Sequence, residues 1–183
     1  MSDSALAKIQ QLLATPEPAE LGPGPRAGVQ SELELKTKLD ALFGKTRFPL
    51  ERQQLIRSLI LLWHDHLDAS HNISQGIENA DGSFLHAIMH RREPDAWNSK
   101  YWWRRAGNHP AFPEIARRVT ELLARSRRRE EADLAKRLVA GEKWDALAFV
   151  DACDAARDET LIRTLREVQQ IEAEALLEFF CHE

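Results

Sequence analysis

The sequence predicts an all-α fold, a compact helical bundle of about seven to eight helices. Its 183 residues include 24 Leu and 24 Ala but only 5 Val and 9 Ile. This balance favours helices, because unbranched side chains lose little rotamer freedom in a helix whereas β-branched side chains lose more. No stretch of roughly four to eight residues alternates apolar and polar side chains between turn signals, so no convincing strand is predicted.

Length and composition indicate one globular domain. Hydrophobic residues make up 43% and charged residues 30% of the chain, which is ordinary for a soluble protein with a substantial core. Cys153 and Cys181 give neither a disulfide framework nor the spacing of a zinc site. The first residues lack the basic and apolar regions of a secretory signal, and no apolar run is long enough to span a bilayer. We therefore expect a cytoplasmic protein without a membrane segment.

The net charge argues against a nucleic-acid-binding protein. The formal charge is -4 at pH 7, and the one strongly basic run, Arg125 to Arg129, is followed by Glu130 and Glu131. These acidic neighbours weaken its field, so a solvated surface is the better interpretation. The sequence leaves undecided whether the protein forms a homo-oligomer.

Residues 1–30 are predicted to form an N-terminal arm, and residues 31–183 a single helical domain. The arm would start with a short amphipathic helix between Ser4 and Ala14, followed by a linker rich in Pro and Gly. Two interpretations stay open for this segment. It is either a solvated linker or an arm that packs on the body of the protein or on a partner subunit.

The domain is predicted to begin with two helices. Ser31 and Gly44 have the residue types of an N-cap and a C-cap, with acidic residues in the first turn between them. A second, long helix is expected to start after Pro49 and to continue without a break to about Gly76.

Turn-forming residues divide the rest of the chain into shorter helices. Asp81 or Ser83 would cap one that stops at Pro94, because the residue before a proline disfavours the helical conformation. Further helices are expected over Trp97 to Arg105, from Pro113 to Leu123, around Leu134 to Val139, over Trp144 to Cys153 and over Thr160 to Phe180.

Chemically versatile side chains concentrate between Trp63 and His109. About a quarter of the chain holds six of the seven His, four of the five Trp and the only Tyr. These are the side chains that bind metals, move protons and stack on ligands. We therefore predict the functional site in this block.

The long helix is predicted to carry part of this site. At 100° per residue, His64, Asp68 and His71 fall in one stripe at the edge of its apolar face. Asp65 falls on the solvent side of the same helix. Such a stripe would line a cleft against a neighbouring helix.

The next helix repeats this arrangement with His86 and His90 four residues apart, a spacing that lets both bind one metal ion. An antiparallel packing of the two helices would bring their polar stripes together, with an open coordination position for water. The predicted ligands of a divalent transition metal are His64, His71, His86 and His90. The predicted catalytic residues, which would orient an imidazole or transfer a proton, are Asp68, Glu93 and His109. The alternative is a set of partly buried histidines that only form hydrogen bonds.

Cations and aromatic side chains alternate directly after this helix. Guanidinium groups recognise carboxylate and phosphate oxygens, and aromatic faces support planar ligands. The predicted ligand-binding residues are Arg91, Asn98, Lys100, Trp102, Arg104 and Arg105. The competing interpretation is a structural network in which the arginines pair with acidic residues of the block, namely Asp65, Asp68, Glu78, Glu93 and Asp95.

The block also resembles a family of helical proteins to which no activity is assigned. The resemblance is carried by residues 63–68, 70–71, 73–75, 81–83, 85–95 and 98–110. Trp-His-Asp-His-Leu-Asp opens it, Leu-His-Ala-Ile-Met-His-Arg-Arg-Glu-Pro-Asp forms its centre, and Asn-Ser-Lys-Tyr-Trp-Trp-Arg-Arg-Ala-Gly-Asn-His-Pro closes it. The resemblance covers about a quarter of the chain. It supplies a sequence signature but implies no mechanism.

Two characterised helical families share single features with the chain. The adjacent His64 and Asp65 are reminiscent of HD-type metal phosphohydrolases, but those need a further histidine upstream, and here no histidine precedes His64. Metal-binding four-helix bundles with a scattered histidine triad have similar size and class, but their histidines lie on distant helices. Neither resemblance assigns a reaction.

The sequence thus leads to the hypothesis of a metal-dependent hydrolase that acts on a small anionic metabolite, phosphorylated or carboxylated. A non-catalytic module that binds an anion or a nucleotide is the alternative, as is a structural helical scaffold.

Overall fold

The computed structural model describes residues 3–125 and 128–182, and all regular structure in these ranges is helical. The all-α prediction is confirmed. Ten α-helices lie in the described ranges, more than predicted, because α1 belongs to the arm and the predicted long helix is divided. They are α1 (Asp3–Gln11), α2 (Glu32–Phe43), α3 (Leu50–Trp63), α4 (Leu67–Ser74), α5 (Ala80–Arg92), α6 (Ala96–Ala106), α7 (Phe112–Ala124), α8 (Arg129–Leu138), α9 (Ala146–Ala155) and α10 (Glu159–Cys181), with a 3₁₀ turn at Ala140–Glu142.

Side-chain caps explain the starts of five of the ten described helices, α2, α5, α6, α9 and α10. Ser31 and Glu34 form a capping box at α2, in which the Ser31 hydroxyl accepts from the Glu34 amide and the Glu34 carboxylate accepts from the Ser31 amide. Helix α5 begins earlier than predicted, because its N-cap is Asn79 rather than Asp81 or Ser83. The Asn79 side-chain oxygen accepts from the Gly82 amide at 2.9 Å.

The predicted long helix is broken at residues 64–66, so that α3 and α4 are separate. Asp65 at the break has φ 68°, a left-handed conformation that a non-glycine residue adopts rarely. Contrary to the prediction, its side chain is only 1% exposed and pairs with both Arg92, at 2.6 Å, and Arg26. The prediction of one helix was wrong because this buried ion cluster outweighs the continuation of the helical hydrogen bonds.

The N-terminal arm packs on the body of the same chain. Ile9, Leu12 and Leu13 are buried in the common core. Beyond α1, backbone carbonyls of the arm accept hydrogen bonds from body side chains: Gln169 donates to Ala19 at 3.0 Å, and Arg92 donates to the Glu20 carbonyl at 3.0 Å. The extended part of the arm is thereby attached to α5 and α10.

Helix α5 forms the centre of the bundle, since every residue from Gly82 to Arg92 is buried. Its charged groups are paired inside the protein. Arg91 contacts the fully buried Glu172 of α10 at 2.6 Å, so its partner is not one of the acidic residues predicted from the sequence. Among the described residues no helix combines the length and the apolar character that a membrane span requires. The predicted basic run includes positions 126 and 127, which lie outside the described residues.

Candidate metal centre

Three of the predicted histidines converge at the contact of α4 with α5. His71 of α4 meets His86 and His90 of α5, and one ring nitrogen of each lies within 4.8 Å of the others. The His71 ring is 4.8 Å from that of His86 and 5.8 Å from that of His90, measured between centroids. We refer to these three residues as the histidine cluster.

Tight helix contacts bring the cluster together. A Cβ on Gly82 would lie 2.0 Å from the Ile77 carbonyl oxygen, so only glycine lets the connection from α4 approach the start of α5 this closely. The buried hydroxyls of Ser58 and Ser70 are 2.8 Å apart and join α3 to α4. Ser99 of α6 donates to the Ala87 carbonyl of α5 at 2.7 Å. Four helices, α3 to α6, are thus fixed around the cluster.

His86 is the most buried member of the cluster, with 2% of its surface exposed. Its ring stacks on Trp102 at 4.2 Å between centroids with an interplanar angle of 19°. Its Nδ1 is buried and has no hydrogen-bond partner within the described part of the chain. A buried nitrogen without a partner costs about 1–3 kcal/mol, which a bound ligand would offset.

His90 is oriented by two polar neighbours. Its Nδ1 lies 3.0 Å from the Glu93 carboxylate, which follows it by three residues. The amide nitrogen of Asn98, on α6, lies 3.1 Å from its Nε2. A carboxylate on the outer nitrogen of a histidine fixes the ring and raises its basicity, as in many metal sites.

The two buried histidines of the cluster, His86 and His90, are uncharged near pH 7. Burial lowers the pKa of His86 to about 4, and repulsion from His71 and His90 adds to this effect. Burial also lowers the pKa of His90, although the Glu93 carboxylate opposes the shift. Unprotonated rings have a lone pair to offer, which is the form in which histidine binds metals.

The low pKa of His86 predicts loss of stability in acid. Its folded pKa of about 4 lies below the ordinary value of 6.5, so the unfolded chain takes up a proton in this window and the folded protein does not. The free energy of unfolding of metal-free protein should therefore fall as the pH decreases from 6.5 to 4. Urea unfolding across this range should show a smaller fall for His86→Gln, and an equal fall would contradict the prediction.

The structure places His64, the fourth predicted ligand, away from the cluster. Because the chain breaks after α3, its ring turns toward the arm, where both nitrogens bind backbone: Nδ1 accepts from the Gln30 amide at 3.1 Å and Nε2 lies 2.7 Å from the Leu12 carbonyl. Burial lowers its pKa as well. His64 attaches the arm and is left out of the candidate site.

Two of the predicted catalytic residues also lie elsewhere. Asp68 is exposed and lines a surface groove with Lys36 and Arg57. The His109 ring is held by Asp81, 2.7 Å from its Nε2, and accepts at Nδ1 from the Ala111 amide at 3.1 Å. Of the three, the structure places only Glu93 at the cluster.

The predicted ligand-binding residues are distributed over several surroundings. Asn98 and Trp102 contact the cluster, and the Arg105 guanidinium lies 5.3 Å from the centre of the Trp102 ring. Lys100 pairs with Asp151. Arg91 is held in its buried ion pair with Glu172. Arg104 lines a separate cavity between α6 and α9.

Comparison of the chain with protein-family models, with curated proteins and with solved structures finds no match.

Proposed function

We propose that the protein is a metal-dependent hydrolase whose divalent transition metal is held by His71, His86 and His90. The observation that carries the proposal is the convergence of three imidazoles from two helices around a buried, unpartnered nitrogen of His86. In the described residues no other group of three or more His, Cys, Asp or Glu side chains meets within such distances.

The donor set fits zinc or a neighbouring metal. Imidazole suits Zn, Co, Ni, Cu and Fe, and three histidines are the ligands of known catalytic zinc sites. A tetrahedral ion with bonds of about 2.0–2.1 Å needs nitrogens about 3.3 Å apart, so ring nitrogens that now lie within 4.8 Å of one another would have to approach by up to roughly 1.5 Å. The His71 side chain can supply this movement, because it is half-buried and its ring makes no hydrogen bond within the described part of the chain.

Three protein ligands leave a position at which a metal lowers the pKa of bound water to about 7, and this supports hydrolysis as the reaction. The chain would contribute three further functions. Glu93 keeps the His90 ring in place through its hydrogen bond. The Asn98 amide, 3.1 Å from His90 Nε2, would leave that nitrogen when a metal binds there and could then hold a substrate oxygen. Trp102 covers the His86 ring and excludes water from that side.

The substrate class follows from charge. Neutral imidazoles do not cancel the charge of a divalent ion, and the Glu93 carboxylate beside His90 cancels only half of it, so the centre would attract an anion. This supports a small phosphorylated or carboxylated metabolite as the substrate, as expected from the sequence.

Metal content and hydrolysis test the proposal. Untagged protein, purified without chelator or nickel resin, is analysed by inductively coupled plasma mass spectrometry. It is then assayed with p-nitrophenyl phosphate and p-nitrophenyl acetate before and after loading with Zn²⁺, Mn²⁺ or Co²⁺. We expect about one ion per chain and metal-dependent turnover, both lost in His90→Ala. Folded protein that neither contains nor takes up metal would refute the centre, and metal binding without turnover would refute the hydrolase.

A further inference from the structure

Helix α6 carries two exposed aromatic side chains and an arginine on one face, beside the histidine cluster. Trp97, Tyr101 and Arg105 follow one another at intervals of four residues, which places them on the same side of the helix. Trp97 is 79% exposed and Tyr101 is 42% exposed, and they are two of the four large hydrophobic residues exposed in the described part of the chain. We refer to these three residues as the aromatic strip. Neighbouring exposed apolar groups of this kind mark binding surfaces.

The two rings of the aromatic strip keep free faces. Their planes differ by only 10° and their centroids are 6.4 Å apart, whereas carbon atoms in contact lie about 3.5–4.0 Å apart, so the rings cover little of each other. The Arg105 guanidinium lies 5.9 Å from the centre of the Tyr101 ring and forms no ion pair within the described residues. The strip therefore offers a stacking surface with an unneutralised positive charge at one end.

The neighbouring face of α6 connects the aromatic strip to the histidine cluster. The Tyr101 ring meets the Trp102 ring at 5.4 Å between centroids, and Trp102 in turn stacks on His86. Asn98 directly follows the first residue of the strip, and its amide nitrogen is the group that approaches His90. Asn98 and Trp102 are each only half-buried, so the boundary between strip and cluster is open to solvent. A ligand with one end at the cluster can thus lay its other end on the strip.

The combination of aromatic faces, an arginine and a metal centre matches the chemistry of a nucleotide. Nucleobases stack on Trp and Tyr because every base has a π-face, and a guanidinium group binds phosphate oxygens. A divalent ion at the cluster would attract the same phosphate. The net charge of -4 disfavours a long polyanion, so a single nucleotide fits this surface better than a nucleic-acid strand does.

We propose that the substrate is a nucleoside monophosphate, with its base stacked on the aromatic strip and its phosphate at the histidine cluster. This inference rests on the proposed hydrolase and names its substrate class. Hydrolysis would add one water across the phosphorus–oxygen ester bond. The water oxygen, with one proton, bonds to phosphorus, and the other proton leaves on the 5′-oxygen, which gives nucleoside and inorganic phosphate without a further reactant.

Two phosphates that differ in the base test the assignment. Release of inorganic phosphate is measured for AMP and for ribose 5-phosphate with protein loaded with Zn²⁺, Mn²⁺ or Co²⁺. We expect kcat/KM for AMP to exceed that for ribose 5-phosphate about tenfold, because stacking of the base stabilises bound AMP only.

Substitutions in the strip should remove this preference. Trp97→Ala is expected to lower kcat/KM for AMP about fivefold and to leave that for ribose 5-phosphate within about twofold of the wild type. The fold should tolerate the change, because the side chain is largely exposed. Leu33→Ala is the matched control, since it truncates another exposed hydrophobic side chain, on α2, and should leave both values within about twofold.

A binding measurement without turnover complements the assay. The probe is the phosphonate analogue of AMP, whose carbon–phosphorus bond is not hydrolysed, and the readout is the indole N–H signals of ¹⁵N-labelled, Zn²⁺-loaded protein. The Trp97 signal, assigned with Trp97→Phe, should shift saturably. The Trp63 signal should stay in place, because that indole is buried and donates to the Thr15 hydroxyl at 3.2 Å.

The possible failures are distinguishable. Equal kcat/KM for AMP and ribose 5-phosphate would refute the nucleotide and leave the hydrolase intact. An unshifted Trp97 signal, or an equal loss of both activities in Trp97→Ala, would also refute stacking of the base. Tighter binding of an oligoadenylate than of the AMP analogue would assign the strip to nucleic acid instead. Absence of metal-dependent turnover of either compound would refute the proposed function itself, and this inference with it.

Discussion

Replacement of His71 by alanine is expected to lower the affinity for Zn²⁺ or Co²⁺ about 100-fold or more. The loss of a polar neighbour of a metal ligand already costs 10- to 100-fold, and the loss of a ligand should cost at least as much. His71 is the best position for this test because it is half-buried, whereas His86 packs deep against Trp102. Competition with a chromophoric chelator measures the affinity, and the visible absorption of bound Co²⁺ reports the coordination.

His182→Ala is the matched control, since it removes another imidazole from an exposed position outside the cluster. It should bind metal as the wild type does. Equal affinities of His71→Ala and wild type, with both proteins folded by circular dichroism, would show that the metal is bound elsewhere or not at all.

Asp65→Asn is expected to destabilise the protein by about 3–5 kcal/mol, the cost of breaking a buried ion pair by removing one partner. The carboxylate contacts Arg92 and Arg26, and it accepts from the Arg26 amide at 2.8 Å. Both guanidinium groups are nearly inaccessible to water and would keep their charge. Asparagine tolerates the left-handed backbone at this position, so the substitution tests the charge rather than the conformation.

Asp68→Asn provides the comparison for this prediction, because it makes the same chemical change three residues later on an exposed side chain. Its free energy of unfolding should stay within about 0.5 kcal/mol of the wild type. Urea unfolding followed by circular dichroism gives both values. A loss below about 1 kcal/mol in Asp65→Asn would mean that the two arginines do not depend on this carboxylate.

The sequence predicted those parts of the fold that depend on neighbouring residues. The N-cap at Ser31 was predicted from its residue type and its acidic neighbours, and the structure contains it. The break after α3 was not predictable in this way. It depends on Arg26 and Arg92, which lie 39 and 27 residues from Asp65, and no helical periodicity contains such pairings.

The dependence on neighbouring residues also explains which members of the candidate site the sequence predicted. His86 and His90 form a pair within one helix, which the spacing of four residues predicts directly. The position of His71 could be anticipated from the packing of two polar stripes, but His64 was assigned to the same stripe only because one continuous helix was assumed. Trp144 lies outside the block between Trp63 and His109, and nothing in its sequence surroundings indicates that it shares a cavity with Trp103.

The attachment of the arm to α10 also has a consequence for the order of folding. Gln169 binds the Ala19 carbonyl across 150 residues of chain, and Arg166 binds the Pro18 carbonyl across 148. On a ribosome the arm emerges well before α10, the helix on which it docks. The native contacts of Pro18 and Ala19 therefore form only after α10 has been synthesised, and contacts between residues so far apart in sequence slow folding.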